Sequence, residues 1–443
     1  MSLSKQLRFT FHLLDAVIKR HYRLIFLGLI FGVLFYSLAP KIYHLIGQPR
    51  KTEKIGLVGQ YLATDIPLEI LRDISYGLTS ISEKGDVATA LAESWKVTDD
   101  GKTYVFQLTT EKLFWHDGKK FSPADVNYNF NDVEASVEGN SLTFKLKEPF
   151  APFPAVLSKP LFRRGLIGLG KYKVKKIETQ GKTIKSILLV PFNDNRLPNK
   201  LYRFYNSEDD LKTGFNLGEV NTLNDLLNLN GLFLSPTVKI NKTIMNNAYI
   251  GLFFNTNLAP FSSKPFRQAL AYAIPKETGS QRALTPINPV SKFYNPDVKP
   301  YAQDLNHAKE ILKDEKIPSD QVITISTFPQ FESLADQIRD SWKQIGIASE
   351  VRIISTIPEN FQVLIIGREI PKDPDQYSFW HSTQSNNLSG FKNFRIDKLL
   401  EDGRRTLDEE ERKNIYFDFQ RFLVEESPVV FLIHPTVYSV SRP

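Results

Sequence analysis

At 443 residues, with 24 % charged and 42 % hydrophobic side chains, the chain is long enough for two or three domains and has an ordinary globular composition. Its net charge of +7 is spread without a basic block, which argues against a nucleic-acid surface. The lack of cysteine excludes disulfides, thiolate metal sites, cysteine nucleophiles and a cysteine-borne lipid anchor.

The first distinctive segment is Leu24 to Pro40, LIFLGLIFGVLFYSLAP, which carries no charge. As a helix it would span roughly 26 Å, and Ile42, Tyr43, Leu45 and Ile46 extend it, with Lys41 able to snorkel. Lys5, Arg8, Lys19, Arg20 and Arg23 precede it against Asp15; Lys41, Arg50 and Lys51 follow. The positive-inside bias puts the N-terminus in the cytoplasm and the body outside. The expectation is therefore a basic cytoplasmic segment at 1–23, with a short surface helix over 6–18. A single-pass anchor in the cytoplasmic membrane at 24–46 and a polar linker at 47–54 would follow. Pro40 directly after Ser37-Leu38-Ala39 disfavours cleavage, so an uncleaved anchor is preferred to a signal peptide.

The body begins with an apolar strand in Lys54 to Tyr61. Val97 to Leu108 reads as a hairpin turning on Asp99-Asp100-Gly101. Ser141 to Leu146 alternates like a half-covered strand, and Tyr172 to Ile177 with Thr183 to Val190 form a second hairpin pattern. Helical spacing appears at Pro265 to Ile274, with proline in the first turn, and at Asn306 to Lys313, with Asn306 as N-cap. It recurs at Ser333 to Ile345, where Leu334, Ile338, Trp342 and Ile345 share a face that ends at Gly346. Ile396 to Arg404 and Glu409 to Glu425 are amphipathic. Val322 to Ser326, Ser349 to Ile354 and Phe361 to Ile366 read as strands, giving the C-terminal half a β-α-β character.

Several fragments, taken in order, resemble the bacterial extracellular solute-binding proteins of family 5, the oligopeptide- and dipeptide-binding group. They are Leu91-Ala92-Glu93-Ser94-Trp95 with Asp99 to Tyr104, Trp115-His116-Asp117-Gly118, Ala124-Asp125-Val126, and Gly168-Leu169-Gly170-Lys171-Tyr172. Leu217 to Asn221, Asn255-Thr256-Asn257, Arg267 to Ile274, Tyr294 to Asp297, Asp373-Pro374-Asp375 and the final Glu425 to Ile433 continue the series. The resemblance implies an α/β, bilobal periplasmic-binding-protein-like fold, class II and of the three-subdomain type, preceded by the N-terminal transmembrane helix. The expected division is a discontinuous lobe I of 55–80, 165–255 and 426–443, a small subdomain II of 81–164, and a lobe II of 256–425. The chain is short for this family after Phe130 and after Glu277, so a smaller or more open cleft is expected.

Such a fold holds its ligand between lobes that close by hinge motion. In peptide-binding relatives an aspartate three residues before the Asp-Pro clamps the peptide's ammonium; here that position is Ile370, which cannot. Glu369 could substitute, and Arg368 could bind a carboxylate bidentately. Trp380, His381, Ser382 and Gln384 offer an aromatic platform with polar groups in an expected cleft loop. Asn255 and Tyr249 lie where a central strand would pass the cleft. Asp373 and Asp375 read as a capped turn before a helix. Trp115 and His116 read as scaffold, with Asp117-Gly118 as a turn, and Asp125 as a helix cap.

No Gly-x-Ser-x-Gly, His-Glu-x-x-His or phosphate-loop pattern is present, so the chain is not expected to be an enzyme. No cofactor or metal is expected. The resemblance implies capture of a peptide or peptide-like solute and its delivery to ABC permease subunits with their ATPases. Another solute on the same scaffold, an oligosaccharide or metal chelate, stays open, as does a tethered sensor or interaction protein without a transport role.

Overall fold

The computed structural model describes residues 18–24, 26–37, 50–109, 113–194, 196–276, 279–315 and 322–442. The chain divides into two units, Met1–Thr52 and Glu53–Pro443. In the first, residues 18–24 and 26–37 are helical. Leu24, Phe26, Leu29, Phe31, Val33 and Phe35 on them are exposed. Among the described residues no helix is long and apolar enough to cross a membrane. The expected span of 24–46 therefore finds a shorter described helix, and its residues 38–46 lie outside the described residues, as do 6–17 of the expected surface helix.

The second unit is built on two main sheets, a four-stranded sheet and a two-stranded pair, Thr79–Ile81 with Val87–Thr89. The seven-stranded sheet runs in the order Lys239–Ile244, Thr436–Ser441, Thr222–Leu226, Thr52–Val58, Asn199–Tyr205, Thr183–Pro191, Tyr172–Gln180. Its Thr52–Val58 and Thr222–Leu226 pair is parallel, while Thr436–Ser441 and Thr183–Pro191 each run antiparallel to both of their neighbours. The five-stranded sheet runs Ser349–Ile353, Ile323–Thr327, Val363–Glu369, Ala248–Phe254, Val429–Ile433. Ile323–Thr327 is parallel to both neighbours there, and Ala248–Phe254 antiparallel to both of its own. Every residue of Ala248–Phe254 is buried, which suits its continuous apolar run AYIGLFF.

The helices Lys264–Ala273, Glu332–Gln344, Phe394–Arg405 and Glu409–Glu426 complete this lobe, burying Phe266, Leu270, Ile338, Trp342, Leu400, Tyr416 and Phe419 in one core. Between strands in sequence sits a four-stranded antiparallel sheet, Ala92–Thr98, Thr103–Leu108, Ser141–Leu146, Val133–Glu138. It packs on Trp115, Phe121, Phe153 and Leu157.

Local chemistry explains most of these elements. The first hairpin turns where Lys102 N donates to Asp99 O at 3.0 Å, with Asp100 at φ 46° and Gly101 at φ 90° as the central residues, the two positive angles a type I′ turn needs. Gly346 closes the Trp342 helix at φ +84°. The helix Leu305–Leu312 is capped by Asp304, which accepts from His307 N at 2.9 Å, so the cap is not Asn306, which lies inside the helix. Trp115 donates from Nε1 to Asp125 at 3.2 Å, and Asp125 closes a capping box with Ser122.

Strand pairing also moves two expected borders. Ala248–Phe254 and Val429–Ile433 belong to the five-stranded sheet, so the chain crosses between the main sheets at 245–247 and 434–435, not at 255/256 and 425/426. The reason is register: Tyr249 faces Arg368 and Gly251 faces Phe431 across backbone ladders that sequence alone does not reveal.

Candidate functional site

The two crossovers lie side by side. Met245 N donates to Pro435 O at 2.9 Å, and the buried His434 donates from Nδ1 to Ala248 O at 2.7 Å while its backbone N–H reaches Gln281 O at 2.7 Å. Burial holds the His434 imidazole below the usual histidine range, with Arg282 nearby acting in the same direction against the Ala248 bond. Beside the crossovers is a cavity of about 490 Å³ lined by Asp225, Thr243, Asn247, Asn288, Glu83 and Ser439. Its wall thus draws on the seven-stranded sheet, on the crossover 245–247 and on the loops at Glu83 and Asn288.

The end of the strand Val363–Glu369 forms one rim of this region. Ile370 is buried and its N–H donates to Asn247 O at 2.7 Å. Glu369 is exposed. The phenol of Tyr61, on the seven-stranded side, is pushed up by burial first and then by the carboxylates of Asp65 and Glu369. The two lobes are therefore within electrostatic reach at this point. Glu69 is raised by burial and then by Asp225, and Asp225 by burial alone. Arg368 is half-buried, with its guanidinium 4.7 Å from the centre of the Phe379 ring, and burial lowers its pKa. No protein acceptor lies within hydrogen-bonding distance of it among the described residues.

A second contact joins the lobes. Glu83 and Lys372 form an ion pair at 2.5 Å, and Asp86 meets Lys292 at 2.9 Å. Lys292 N also donates to Lys84 O at 3.3 Å. The loop 82–86 is thereby fastened to the lobe that carries Arg368 and Glu369.

The other expected site residues are spent within the lobe, although Tyr249 lies directly across the ladder from Arg368. Tyr249 is 4 % exposed and packs edge-on to Phe431. Trp380 is 3 % exposed and stacks on Phe253 at 6.0 Å, so both rings fill the core. Asn255 spends its amide on the chain, donating to Phe361 O at 2.9 Å and accepting from Asn257 N at 3.2 Å. His381 stacks on Tyr377 at 4.1 Å, and its Nδ1 lies 2.8 Å from Thr383 Oγ1 and accepts from Thr383 N at 3.3 Å. Its Nε2 thus carries the proton toward Glu401, 3.4 Å away. Ser382 N donates to Asp397 at 2.8 Å, and Gln384 Nε2 donates to Thr383 Oγ1 at 3.1 Å. These bonds shape the turn between the short helix Tyr377–Trp380 and the helix Phe394–Arg405. Glu369 is the expected residue that comes within electrostatic reach of Tyr61 at the inter-lobe rim, while Arg368 beside it lies across the ladder from Tyr249.

Sequence reasoning missed Tyr61, Asp65, Glu69, Asp225 and Phe379 as neighbours of that rim. Their approach depends on how separate elements dock, and no local motif marks them. Among the described residues no group of His, Asp and Glu could hold a metal ion.

Comparison with known proteins agrees with this architecture. The family model of bacterial extracellular solute-binding proteins, family 5 Middle, matches residues 86–389. The oligopeptide-binding protein AppA of Bacillus subtilis is 24 % identical over 470 aligned positions, covering 86 % of each chain. The solved ABC transporter substrate-binding protein CtaP of Listeria monocytogenes superposes with a TM-score of 0.77 at 22 % identity, covering 89 % of this chain and 94 % of its own. NikZ of Campylobacter jejuni, solved with Ni(L-His), gives 0.75 at 21 % identity, covering 89 % and 94 %.

Proposed function

The chain belongs to the bacterial extracellular solute-binding proteins, family 5, and from that premise we propose that it captures a peptide or peptide-like solute outside the cytoplasmic membrane and passes it to an ABC importer. The observation that carries this reading is the pair of adjacent crossovers at 245–247 and 434–435, with a cavity beside them walled by the seven-stranded sheet, the crossover 245–247 and the loops at Glu83 and Asn288. Two crossovers side by side are a hinge, and a hinge over a polar cavity is a device for enclosing a solute. The similarity over 86 % of its length to an oligopeptide-binding protein supports the peptide class.

In this reading the solute lies between the lobes, with Arg368 and Glu369 as contacts on one wall and Tyr61 on the other. Closure brings the walls together, and the permease, with its ATPases, receives the solute when they part. The apolar segment 24–46 serves as a single-pass anchor, N-terminus inside. A tether keeps the effective concentration of the binding domain near the permease high without any added contact. Retention of the full chain in membranes after alkaline carbonate extraction tests the anchor; release into the supernatant would sink it.

A metal chelate is the second reading, favoured by Ile370, which places an apolar side chain where relatives clamp a peptide's ammonium. The deciding experiment is mass spectrometry of whatever leaves the full chain on denaturation after purification in mild detergent. Recovered peptides support the first reading. A chelate or sugar without peptides overturns it.

A further inference from the structure

The seven-stranded sheet has two unlike ends. The crossovers at 245–247 and 434–435 and their cavity lie at one, beyond Ile244 and before Thr436. The chain enters at the other. Ile55 lies opposite Thr222, Thr222 opposite Ser441, and Ser441 opposite Lys239. The starts of Thr52–Val58, Thr222–Leu226 and Lys239–Ile244 therefore share this second end with the close of Thr436–Ser441. Asn221 ties it together, its N–H donating to Lys54 O at 2.8 Å and its Oδ1 accepting from Lys54 N at 2.9 Å. The helix Glu208–Asn216 points its C-terminus the same way, since Leu217 after it leads through Asn221 into Thr222–Leu226. On the other flank, Gly59 N donates to Tyr205 O at 2.8 Å, so Asn199–Tyr205 also starts here. The antiparallel ladders beyond it bring the start of Tyr172–Gln180 to this end too.

Large apolar side chains stand out of the molecule there. Leu217 is 73 % exposed and Phe233 77 %, and Leu234 is exposed beside it. Phe233 is braced in that position. Its N–H donates to Asn216 Oδ1 at 2.9 Å, and Asn216 Nδ2 donates to Gly231 O at 2.7 Å. Leu229, Leu232 and Val238 of the same loop pack on the core of Leu211, Phe215 and Leu223, yet Phe233 and Leu234 are left outside. One exposed leucine is ordinary, but a braced phenylalanine among further apolar side chains marks a contact surface. Bases surround it at this end: the exposed Lys171, Lys173 and Lys239, and the half-buried Lys54 and Arg442. Of the nearby acids, Asp194 is paired with Arg196 at 3.1 Å and Glu219 with Arg203 at 2.9 Å, which leaves Glu53. Glu208, Asp209 and Asp210 lie in the first turn of their helix, at the opposite end.

Resting on the reading that 24–46 is an anchor, we infer that this end of the first lobe docks on the anionic phospholipid surface of the membrane that holds the chain. Phe233, Leu234 and Leu217 enter the headgroup layer, and Lys171, Lys173, Lys239 and Arg442 face the phosphates. Two observations favour lipid over a second copy or another protein. Residues 47–51 alone separate the anchor from Thr52, and five residues reach at most roughly 17 Å, so the end at which Thr52 stands is the one held near the bilayer. Apolar tips ringed by bases also match an interface that is apolar below and negative above. Docked this way, the crossovers and their cavity point away from the lipid, and the second lobe moves in water.

The test uses the full chain reconstituted into vesicles of phosphatidylcholine, alone or mixed with phosphatidylglycerol. The chain has no cysteine, so Ser235→Cys can carry a polarity-sensitive fluorophore uniquely. Lys182→Cys, in the turn between Gln180 and Thr183 at the opposite end of the sheet, is the control. On mixed vesicles the probe at 235 should shift to the blue and the probe at 182 should not. Adding Leu217→Ser and Phe233→Ser should abolish the shift while the chain melts at the native temperature. Lys239→Gln should lower the ratio of docked to free chains by roughly fivefold, equivalent to about 1 kcal/mol. Unshifted probes on a chain that stays in the vesicles through alkaline carbonate overturn the inference and leave the anchor standing. A chain stripped by carbonate whose probe at 235 still shifts on mixed vesicles at neutral pH keeps the docking and overturns the anchor. Stripping without a shift overturns both. A shift of equal size on phosphatidylcholine alone overturns the anionic partner. A shift that grows with protein concentration in the absence of lipid assigns the patch to a second copy and overturns the inference.

Discussion

Arg412 grips Asp373 with both terminal nitrogens, at 2.7 and 3.2 Å, while its Nε donates to Gly403 O at 2.8 Å. Arg404 holds Asp375 differently, with Nε at 3.0 Å from both carboxylate oxygens, one terminal nitrogen at 2.9 Å and its guanidinium 3.8 Å from the Tyr377 ring centre. Each aspartate also accepts from the backbone two residues on, Asp373 from Asp375 N at 2.9 Å and Asp375 from Tyr377 N at 3.0 Å. The Asp373-Pro374-Asp375 turn is therefore riveted to the helices Phe394–Arg405 and Glu409–Glu426. It fixes where the strand carrying Arg368 and Glu369 ends.

The Arg412–Asp373 pair is largely buried, with side chains 9 % and 14 % exposed. Removing one partner of such a pair strands the other charge. Arg412→Met or Asp373→Asn should cost about 3–5 kcal/mol in urea unfolding, and the double variant distinctly less than the sum. Additive losses would mean that the two groups do not act as a pair.

Loop 82–86 makes a different kind of contact. Its ion pairs, Glu83 with Lys372 and Asp86 with Lys292, are half-exposed, and Glu409 shares Lys292 at 2.6 Å. Lys292 holds the Asp86 carboxyl below its usual range. Half-exposed pairs contribute about 0–1 kcal/mol each and weaken with salt. The lobes should consequently part more readily as ionic strength rises from about 0.05 to 0.5 M, where the screening length shortens to a few Å. The chain has no cysteine, so two introduced ones, at exposed Lys175 and Lys313, can carry spin labels uniquely. Lys372→Glu should broaden the distance distribution, and adding Glu83→Lys should narrow it again. A distribution indifferent to salt and to both changes would remove the loop from any role in closure.

The scaffold was legible because it rests on local chemistry. Asp-Asp-Gly dictates a tight hairpin, Gly346 stops a helix, and the apolar run AYIGLFF demands a strand covered on both faces. The site was less legible because its members meet through tertiary docking. Trp380 and Tyr249 carry the aromatic character of a binding platform, yet an aromatic ring is also the best core filler, and here packing decides. Asn255 has the polar amide of a ligand contact, but it is spent on the carbonyl of Phe361, distant in sequence, and on the backbone amide of Asn257 in its own loop. Arg368 and Glu369 were legible as charges just beyond an apolar strand expected at Phe361 to Ile366, although the strand in fact continues through both of them. The salt-bridged role of Asp373 and Asp375 was not, since Arg404 and Arg412 lie a helix away in sequence.

The core assignment of Trp380 yields a contrast between two substitutions. The ring stacks on Phe253 and tilts against Phe431 at 6.3 Å, while its buried Nε1 has no partner among the described residues. Trp380→Ala opens a large cavity and should cost about 3–5 kcal/mol. Trp380→Phe removes the unsatisfied donor along with part of the ring, so the two effects offset and the loss should stay under about 1.5 kcal/mol. A Phe variant as damaged as the Ala variant would show that the indole nitrogen matters.

His434 makes the hinge sensitive to acid. Burial lowers its pKa in the folded chain below the ordinary 6.5, so the unfolded chain takes up a proton first as pH falls. The stability that depends on neutral His434 is therefore fully present above pH 6.5 and is lost as the pH drops through the lowered folded value. Arg282 beside it adds repulsion once the ring is charged. His116, also lowered by burial, contributes with the same sign, so the slope belongs to both residues. His434→Asn can keep the donor to Ala248 O without a titrating ring. Melting temperatures of native protein should fall between about pH 7 and 5, and those of the variant should fall less steeply. Parallel curves would place the acid sensitivity elsewhere than the hinge.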